Sequence, residues 1–362
     1  MTFGELGVYA GGERYVLNVV AAVQLAGGSS IRQAMVAYGQ GASVRIDTGG
    51  SELHVLQTDW PSASHLDYFS SRFSSRLWSI AADFDLVHVY QPFNISGEAA
   101  LIVAAQLGKT IVATDLGGAL LLGAAQDHPI SLAHRVIAIS RYAATFIGSL
   151  PCPIDTVIGP VGDQFLDAPL SSGPRAGVLF VGRIMPHKGI DRILRHAPDG
   201  LEITIAGTVV DRDYYQYLQG LVGAKHVQFI LKPSEDRLLE LYSQAAACVV
   251  PSVVVDYRGK VIPNSELMGL TTMEALAQGT PVAVATTTSL PELVEGASMA
   301  RVFSNDAELR VVLEDVAAGR WPKVGCDGAA RAYAARRFSS RAVGEALIES
   351  YRQAAVGAAS KR

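Results

Sequence analysis

The chain has 362 residues, of which 49% are hydrophobic and 18% charged, and its formal net charge is −4. That is enough apolar chain for two cores of ordinary domain size, and the weakly acidic balance argues against a nucleic-acid binder, which normally shows a basic stripe. Cys152, Cys248 and Cys326 stand far apart with no Cys-x-x-Cys pair, so neither a disulfide scaffold nor a zinc site is implied.

The opening Met1 to Ala10 lacks the apolar run of a buried strand, so the first strand is expected to be weak or the true start to lie upstream. Gly11-Gly12 then precede a helical pattern, Val16, Val19, Val20, Val23 and Leu25, that closes at Gly27-Gly28. Glycines ahead of a helix let a backbone approach a phosphate closely, and they equally make an ordinary turn. Strands are expected over Ala34 to Tyr38 and Leu53 to Gln57, followed by a helix near Leu66 to Ala82. The β-branched run Leu86 to Tyr90 enters Gln91-Pro92-Phe93-Asn94. Open α/β sheets bind ligands at the carboxyl ends of their strands, which makes Tyr90, Gln91 and Asn94 ligand candidates, with a plain βα turn as the alternative. Ser96 to Leu107 reads as a helix and Thr110 to Thr114 as a strand ending in Asp115-Leu-Gly117-Gly118. Arg135 to Ser140 and Ile154 to Ile158 complete this sheet; His88, His128, His134 and His187 could approach a cleft, with a loop or partly buried histidine the commoner reading of each.

Leu170-Ser-Ser-Gly-Pro174 has linker composition, and beyond it the βα alternation restarts. The expected domains are 1–170 and 171–338. Val178 to Val181 is a buried strand leading into Gly182-Arg183-Ile-Met-Pro-His-Lys188-Gly189 and a helix to His196. Arg183 and Lys188 therefore flank a turn just ahead of a helix N-terminus, where two cations and a dipole favour an anion. Further strands are expected over Leu201 to Gly207, Val227 to Leu231 (entering Lys232-Pro233-Ser234), Cys248 to Pro251, Pro281 to Ala285 and Ala300 to Phe303. After Cys248 to Pro251, and running into the strand at Pro281, comes Asn264 to Val282, which reads as a polar loop with Glu266, a Gly269 hinge, Thr271 as N-cap, a short helix carrying Glu274, and a Gly279 stop. Thr271 and Glu274 fit a capping box, whose free N–H groups suit an anion. Two carboxylates at the same place suit hydroxyls, so a diphosphate-sugar nucleotide meets both demands. Asp83-Phe-Asp85 and Asp211-Arg-Asp213 are possible cation pairs, although Asp211 and Asp213 read better as helix N-terminal residues. No Gly-x-Ser-x-Gly elbow and no Gly-x-Gly-x-x-Gly after a strand is present, which disfavours a serine hydrolase and a nicotinamide enzyme.

The Glu266-x7-Glu274 segment, Glu-Leu-Met-Gly-Leu-Thr-Thr-Met-Glu-Ala-Leu-Ala-Gln-Gly-Thr-Pro-Val, resembles the donor-site signature of retaining GT-B glycosyltransferases of family 4, the glycosyl transferases group 1. Gly-Arg183-x4-Lys188-Gly resembles that family's pyrophosphate pair. The resemblance spans Val178 to Phe303 and is diffuse before it. It implies an α/β GT-B fold, two Rossmann-like domains facing a central cleft that closes by a hinge, with a C-terminal helix over 339–362 joining the first domain. It implies transfer from a nucleotide-diphosphate sugar, a UDP-sugar by family frequency, to a hydroxyl acceptor with retention and without a metal or other cofactor. Arg183, Lys188 and Glu266 take the catalytic roles. Gly11, Gly12, Gly182, Lys232, Gly269, Leu270, Thr271, Thr272 and Glu274 join them in holding the donor, with Glu274 on the ribose. Tyr90, Gln91, Asn94, Asp115 and His134 fall on the acceptor side, and Asp115 stands where many relatives carry a His. A non-catalytic nucleotide-sugar sensor or partner subunit of the same fold is the competing class, and a phosphorylase or epimerase the competing enzyme. The acceptor reads as a small molecule or glycan. No apolar run approaches the roughly 18 residues that span a bilayer and no signal pattern opens the chain, so a cytoplasmic location is expected, with peripheral membrane contact left open.

Overall fold

A computed structural model describes residues 11–39, 43–47, 51–59, 72–117, 127–148, 150–171, 173–323 and 325–360. The expectation for Met1 to Ala10, the start of the helix placed at Leu66, and Gly118 lie outside them. The chain divides into two compact units, one of residues 1–160 with 340–362 and one of residues 161–339. The changeover at Pro160 comes ahead of the 170–174 stretch whose composition suggested a linker.

In the first unit, α1 (Gly11–Gly27) is followed by β1 (Gln33–Gly39), β2 (Val44–Asp47), β3 (Ser51–Gln57), α2 (Arg76–Ala82), β4 (Leu86–Tyr90), α3 (Ile95–Gln106), β5 (Thr110–Thr114), β6 (Arg135–Ala138), α4 (Arg141–Ile147) and β7 (Ile154–Thr156). Strands β4-β5-β6-β7 form one parallel sheet, and β1-β3-β2 a second in which β2 runs antiparallel to β3. Valine, isoleucine and alanine fill the first sheet because helices cover both faces: Val89, Ile111, Ala113, Val136 and Ala138 pack with Leu101 of α3 in one core.

The second unit runs α5 (Asp163–Asp167), β8 (Ala176–Val181), α6 (Ile190–His196), β9 (Ile203–Gly207), α7 (Arg212–Val222), β10 (Val227–Leu231), α8 (Glu235–Gln244), β11 (Ala245–Val250), α9 (Leu270–Ala277), β12 (Val282–Ala285), α10 (Leu290–Leu293), β13 (Arg301–Phe303), α11 (Asp306–Ala317) and α12 (Asp327–Phe338). Its six strands are all parallel in the order β10-β9-β8-β11-β12-β13. The chain winds outward from β8 to β10, then returns to lay β11 beside β8, with Leu179 opposite Cys248. The loops leaving β8 and β11 therefore part at a topological switch point, the place where such sheets bind ligands.

The last helix, α13 (Ser340–Ser360), belongs to the first unit. It lies on α1 so closely that a Cβ at Gly344 would collide with the Ala22 carbonyl oxygen. Among the described residues no helix is long and apolar enough to cross a membrane.

Candidate functional site

The loop after β8 is shaped by two backbone demands. Pro186–Lys188 form a short 3-10 turn, and Gly189 follows with φ +65°, the left-handed region that favours glycine. A Cβ there would also strike the Pro251 carbonyl oxygen, so this glycine lets the β8 loop lie against the loop after β11. Across that contact Lys188 Nζ meets Glu266 Oε2 at 2.7 Å, and both side chains are largely buried. Ser252 Oγ donates to the same carboxylate oxygen at 3.3 Å, and Ser289 Oγ to the Glu266 carbonyl at 3.1 Å. Burial pushes the Glu266 carboxyl up, yet Lys188 beside it, with His187 and Ser252, holds it below the usual value. It is an ionised group held in place before any ligand arrives.

His187 is buried, and its imidazole is pushed down to about 4 by that burial and then by Lys188 and Arg183, against the opposing pull of Glu266 and Asp256. It is neutral near pH 7. Arg183 is exposed, with no ion pair among the described residues, which leaves its guanidinium free for an anion. Gly182 lies between them and the sheet, pressed on Gly207 of β9 so that a Cβ on Gly207 would meet its carbonyl oxygen.

Helix α9 starts differently from the capping box expected of it. Gly269, with φ +72°, is the N-cap and no side chain caps the helix; Leu270 is its first residue and Thr271 its second. The left-handed φ at 269 favours glycine, and Gly269 packs against the ends of the Leu290 and Leu293 side chains. Glu274 is fully buried rather than facing a pocket, and its Oε2 accepts from Tyr242 Oη at 3.0 Å. That bond ties α9 to α8. Two hydroxyls near the N-terminus of α9, Ser265 Oγ and Thr272 Oγ1, are buried without a hydrogen-bond partner. Buried polar groups are nearly always satisfied, so such orphans point to a ligand or water that completes them. Ser252, Ser265 and Ser289 escaped the sequence reading because a serine in a loop carries no spacing signal. Lys232 is exposed at the end of β10, two strands away from β8, with φ +51° and no side-chain partner among the described residues.

In the first unit, Gly11 and Gly12 form the first turn of α1 rather than a loop ahead of it, and Gly12 lies near Leu116 in the segment leaving β5. Tyr90 and Gln91 end β4 beside Thr114, to whose carbonyl the Gln91 N–H donates at 3.0 Å. Gln91 holds φ +60°, a strained angle for a side-chain-bearing residue. Asp115 is buried and its Oδ1 accepts from Gly117 N at 3.1 Å. These residues share the carboxyl edge of the sheet. Asn94 is spent on capping α3, accepting from Gly97 N at 2.8 Å. His134 precedes β6 at the opposite, amino edge, where its Nδ1 accepts from Ile111 N at 3.0 Å, so it is not brought to the other candidates. Asp211, of the second Asp-x-Asp pair, caps α7 as its helix N-terminal reading expected, accepting from Tyr214 N at 2.8 Å.

Fold and site together define an α/β protein of GT-B architecture with cations, a carboxylate and a helix N-terminus at the switch point of its second unit. Residues 166–308 match the family model of glycosyl transferases group 1. An uncharacterized glycosyltransferase of Methanocaldococcus jannaschii is 36% identical over 124 residues, 33% of this chain and 29% of its own length. The D-inositol 3-phosphate glycosyltransferase of Mycolicibacterium gilvum is 36% identical over 152 residues, 39% of this chain and 32% of that protein. The chain thus spans about a third of the length of the curated relatives it matches first. The crystal structure of Anabaena HepE in complex with UDP and glucose superposes with a TM-score of 0.69 at 16% identity, covering 96% of this chain and 97% of that one.

Proposed function

We propose that the chain is a glycosyltransferase that moves a sugar from a nucleotide-diphosphate sugar, UDP-linked, to a hydroxyl acceptor with retention of anomeric configuration. The observation that carries this reading is the Lys188 to Glu266 pair at the switch point, 2.7 Å apart, with Arg183 free beside it. Lys188 and Arg183 neutralise the diphosphate as the bond from the anomeric carbon to the leaving oxygen breaks, charge that develops in the transition state. Glu266, kept ionised by Lys188, accepts from a hydroxyl of the donor sugar and fixes its orientation. The acceptor oxygen bonds to the anomeric carbon on the face the diphosphate leaves, and its proton passes to that diphosphate, so no protein nucleophile is needed. Positive charge at the leaving group comes from side chains and from the N–H groups opening α9, which makes the reaction independent of a divalent metal. The relatives' printed activities and the UDP in the Anabaena structure support the class of reaction and the donor base.

The test is UDP-glucose turnover, as transfer or slow hydrolysis, in folded wild type, Lys188→Ala and Glu266→Ala, with and without EDTA. Both variants should fall at least about a hundredfold in kcat/KM, roughly the 3 kcal/mol that losing one charged transition-state contact costs. EDTA should change nothing. Wild-type rates in both variants would discard the site, an inverted product would discard retention, and UDP binding without turnover in wild type would leave a sensor.

A further inference from the structure

The carboxylate of Glu266 is held through one oxygen. Lys188 and Ser252 both meet Oε2, whereas Oε1 has no partner among the described residues. A largely buried carboxylate whose task is structural is satisfied through both oxygens, because a buried polar atom without a partner is costly. Here the tethers leave one oxygen over. Its direction is set by whatever fixes Ser252 and the backbone at 266.

Both are fixed by the loop that leaves β12, residues 286–289. Thr286 N anchors it on the neighbouring strand, donating to the Phe303 carbonyl of β13 at 2.9 Å. Thr287 Oγ1 then donates to the Ser252 carbonyl at 2.7 Å, and Ser289 reaches the Glu266 carbonyl twice, from Oγ at 3.1 Å and from N at 3.3 Å. One loop thus grips both the residue that holds Oε2 and the main chain of Glu266. Ser252 and Ser289 are fully buried, so water competes little for these bonds. Between the two grips stands Thr288 with φ +60°, an outlier for a β-branched side chain. Its Oγ1 donates to the Thr287 carbonyl at 2.7 Å, which also accepts from Leu290 N at 3.4 Å. Strain of this kind persists only where the surroundings over-determine it, and it gathers where a geometry must be held.

We propose that Ser252 and Thr287 are positioning residues, through which the loop 286–289 aims Glu266 Oε1 at a hydroxyl of the donor sugar. The identity of that hydroxyl rests on the transferase reading; the control of the carboxylate by the loop does not. The Ser252 and Thr287 hydroxyls are both spent on protein oxygens, so they act on a ligand only through Glu266. A nucleotide without its sugar should not register their loss.

The experiment compares the whole chain as wild type, Ser252→Ala, Thr287→Val, which keeps the side-chain shape and removes the hydroxyl, and Thr287→Ser, which restores it. Calorimetry gives UDP affinity, and UDP-glucose turnover is followed as transfer or slow hydrolysis. The titration of Glu266 is read by carboxyl-carbon NMR of glutamate-labelled protein, its resonance assigned with Glu266→Gln. Ser252→Ala and Thr287→Val should lose at least about tenfold in kcat, the order of one hydrogen bond to a charged group, and bind UDP like wild type. Against burial, which pushes the Glu266 carboxyl up, Ser252 helps Lys188 and His187 to hold it down, so its titration should move to higher pH in both variants. Thr287→Ser should return rate and titration to wild type. A loop with a merely structural role would lower the urea midpoint and move neither kcat nor the titration, and that result would overturn the assignment, as would an equal loss of UDP affinity. No turnover of UDP-glucose by wild type would instead count against the transferase reading; the Glu266 titration in the same variants then decides the loop, and an unshifted one overturns it.

Discussion

Two glycines with left-handed backbones show how far a single position shapes the site. Gly189 and Gly200 have φ of +65° and +80°, so a side chain at either is strained. Gly200 has open space where a Cβ would go, whereas at Gly189 the Pro251 carbonyl oxygen occupies it. Gly200→Ala should therefore cost only the strain, about 1–2 kcal/mol. Gly189→Ala should cost more, because the loops carrying Lys188 and Glu266 must part to admit the methyl group. Comparing urea midpoints and UDP affinities checks this: Gly200→Ala should lose stability alone, and Gly189→Ala both stability and at least tenfold in affinity. Equal losses in the two would mean that the contact between these loops does not shape the site.

At the scale of the element, α9 is held at its C-terminal end and from α8. Gln278 Nε2 donates to the Phe165 carbonyl at 2.5 Å, Arg175 Nη2 to the Gln278 carbonyl at 2.9 Å and Arg331 Nε to the Ala277 carbonyl at 2.9 Å, while Tyr242 holds Glu274 from α8. Tyr242→Phe removes one hydrogen bond from a fully buried carboxyl group and should cost about 1–3 kcal/mol, read as a lower urea midpoint at unchanged slope. No change would mean that Glu274 is satisfied by its other contacts. The same helix marks the limit of what sequence could tell. Strands such as Thr110–Thr114 were legible to the residue, because a strand buried along its whole length reads as a near-continuous apolar run. Lys188 and Glu266 were legible from spacing against the family pattern. The start of α9 was not, because a threonine three residues before a glutamate states a local preference, and the left-handed backbone at Gly269 decides otherwise. Nor was β2, four residues that pair antiparallel in an otherwise parallel unit.

For the molecule as a whole, each unit carries a histidine kept neutral by burial. In the first, His88 has Nδ1 2.8 Å from Tyr351 Oη and Nε2 2.9 Å from Thr114 Oγ1, and burial pushes its imidazole down to about 3. In the second, His187 lies at about 4. An unfolded histidine titrates near 6.5, so as pH falls below that value the unfolded chain takes up protons that the folded chain refuses. Both units therefore lose stability from about pH 6.5 downward, until the folded imidazoles themselves protonate near 4 and 3, with a slope of up to about 1.4 kcal/mol per pH unit for each histidine. Glu266 acts in the same direction but later, because a carboxyl held below its usual value loses its contribution only once the pH drops under the ordinary carboxylate range. The thermal midpoint should thus begin to fall between pH 6.5 and 5, ahead of any carboxylate titration. His88→Gln and His187→Gln should each flatten part of that fall whatever they cost at pH 8. A midpoint constant from pH 7 to pH 5 in wild type would mean that neither imidazole is held neutral by its surroundings.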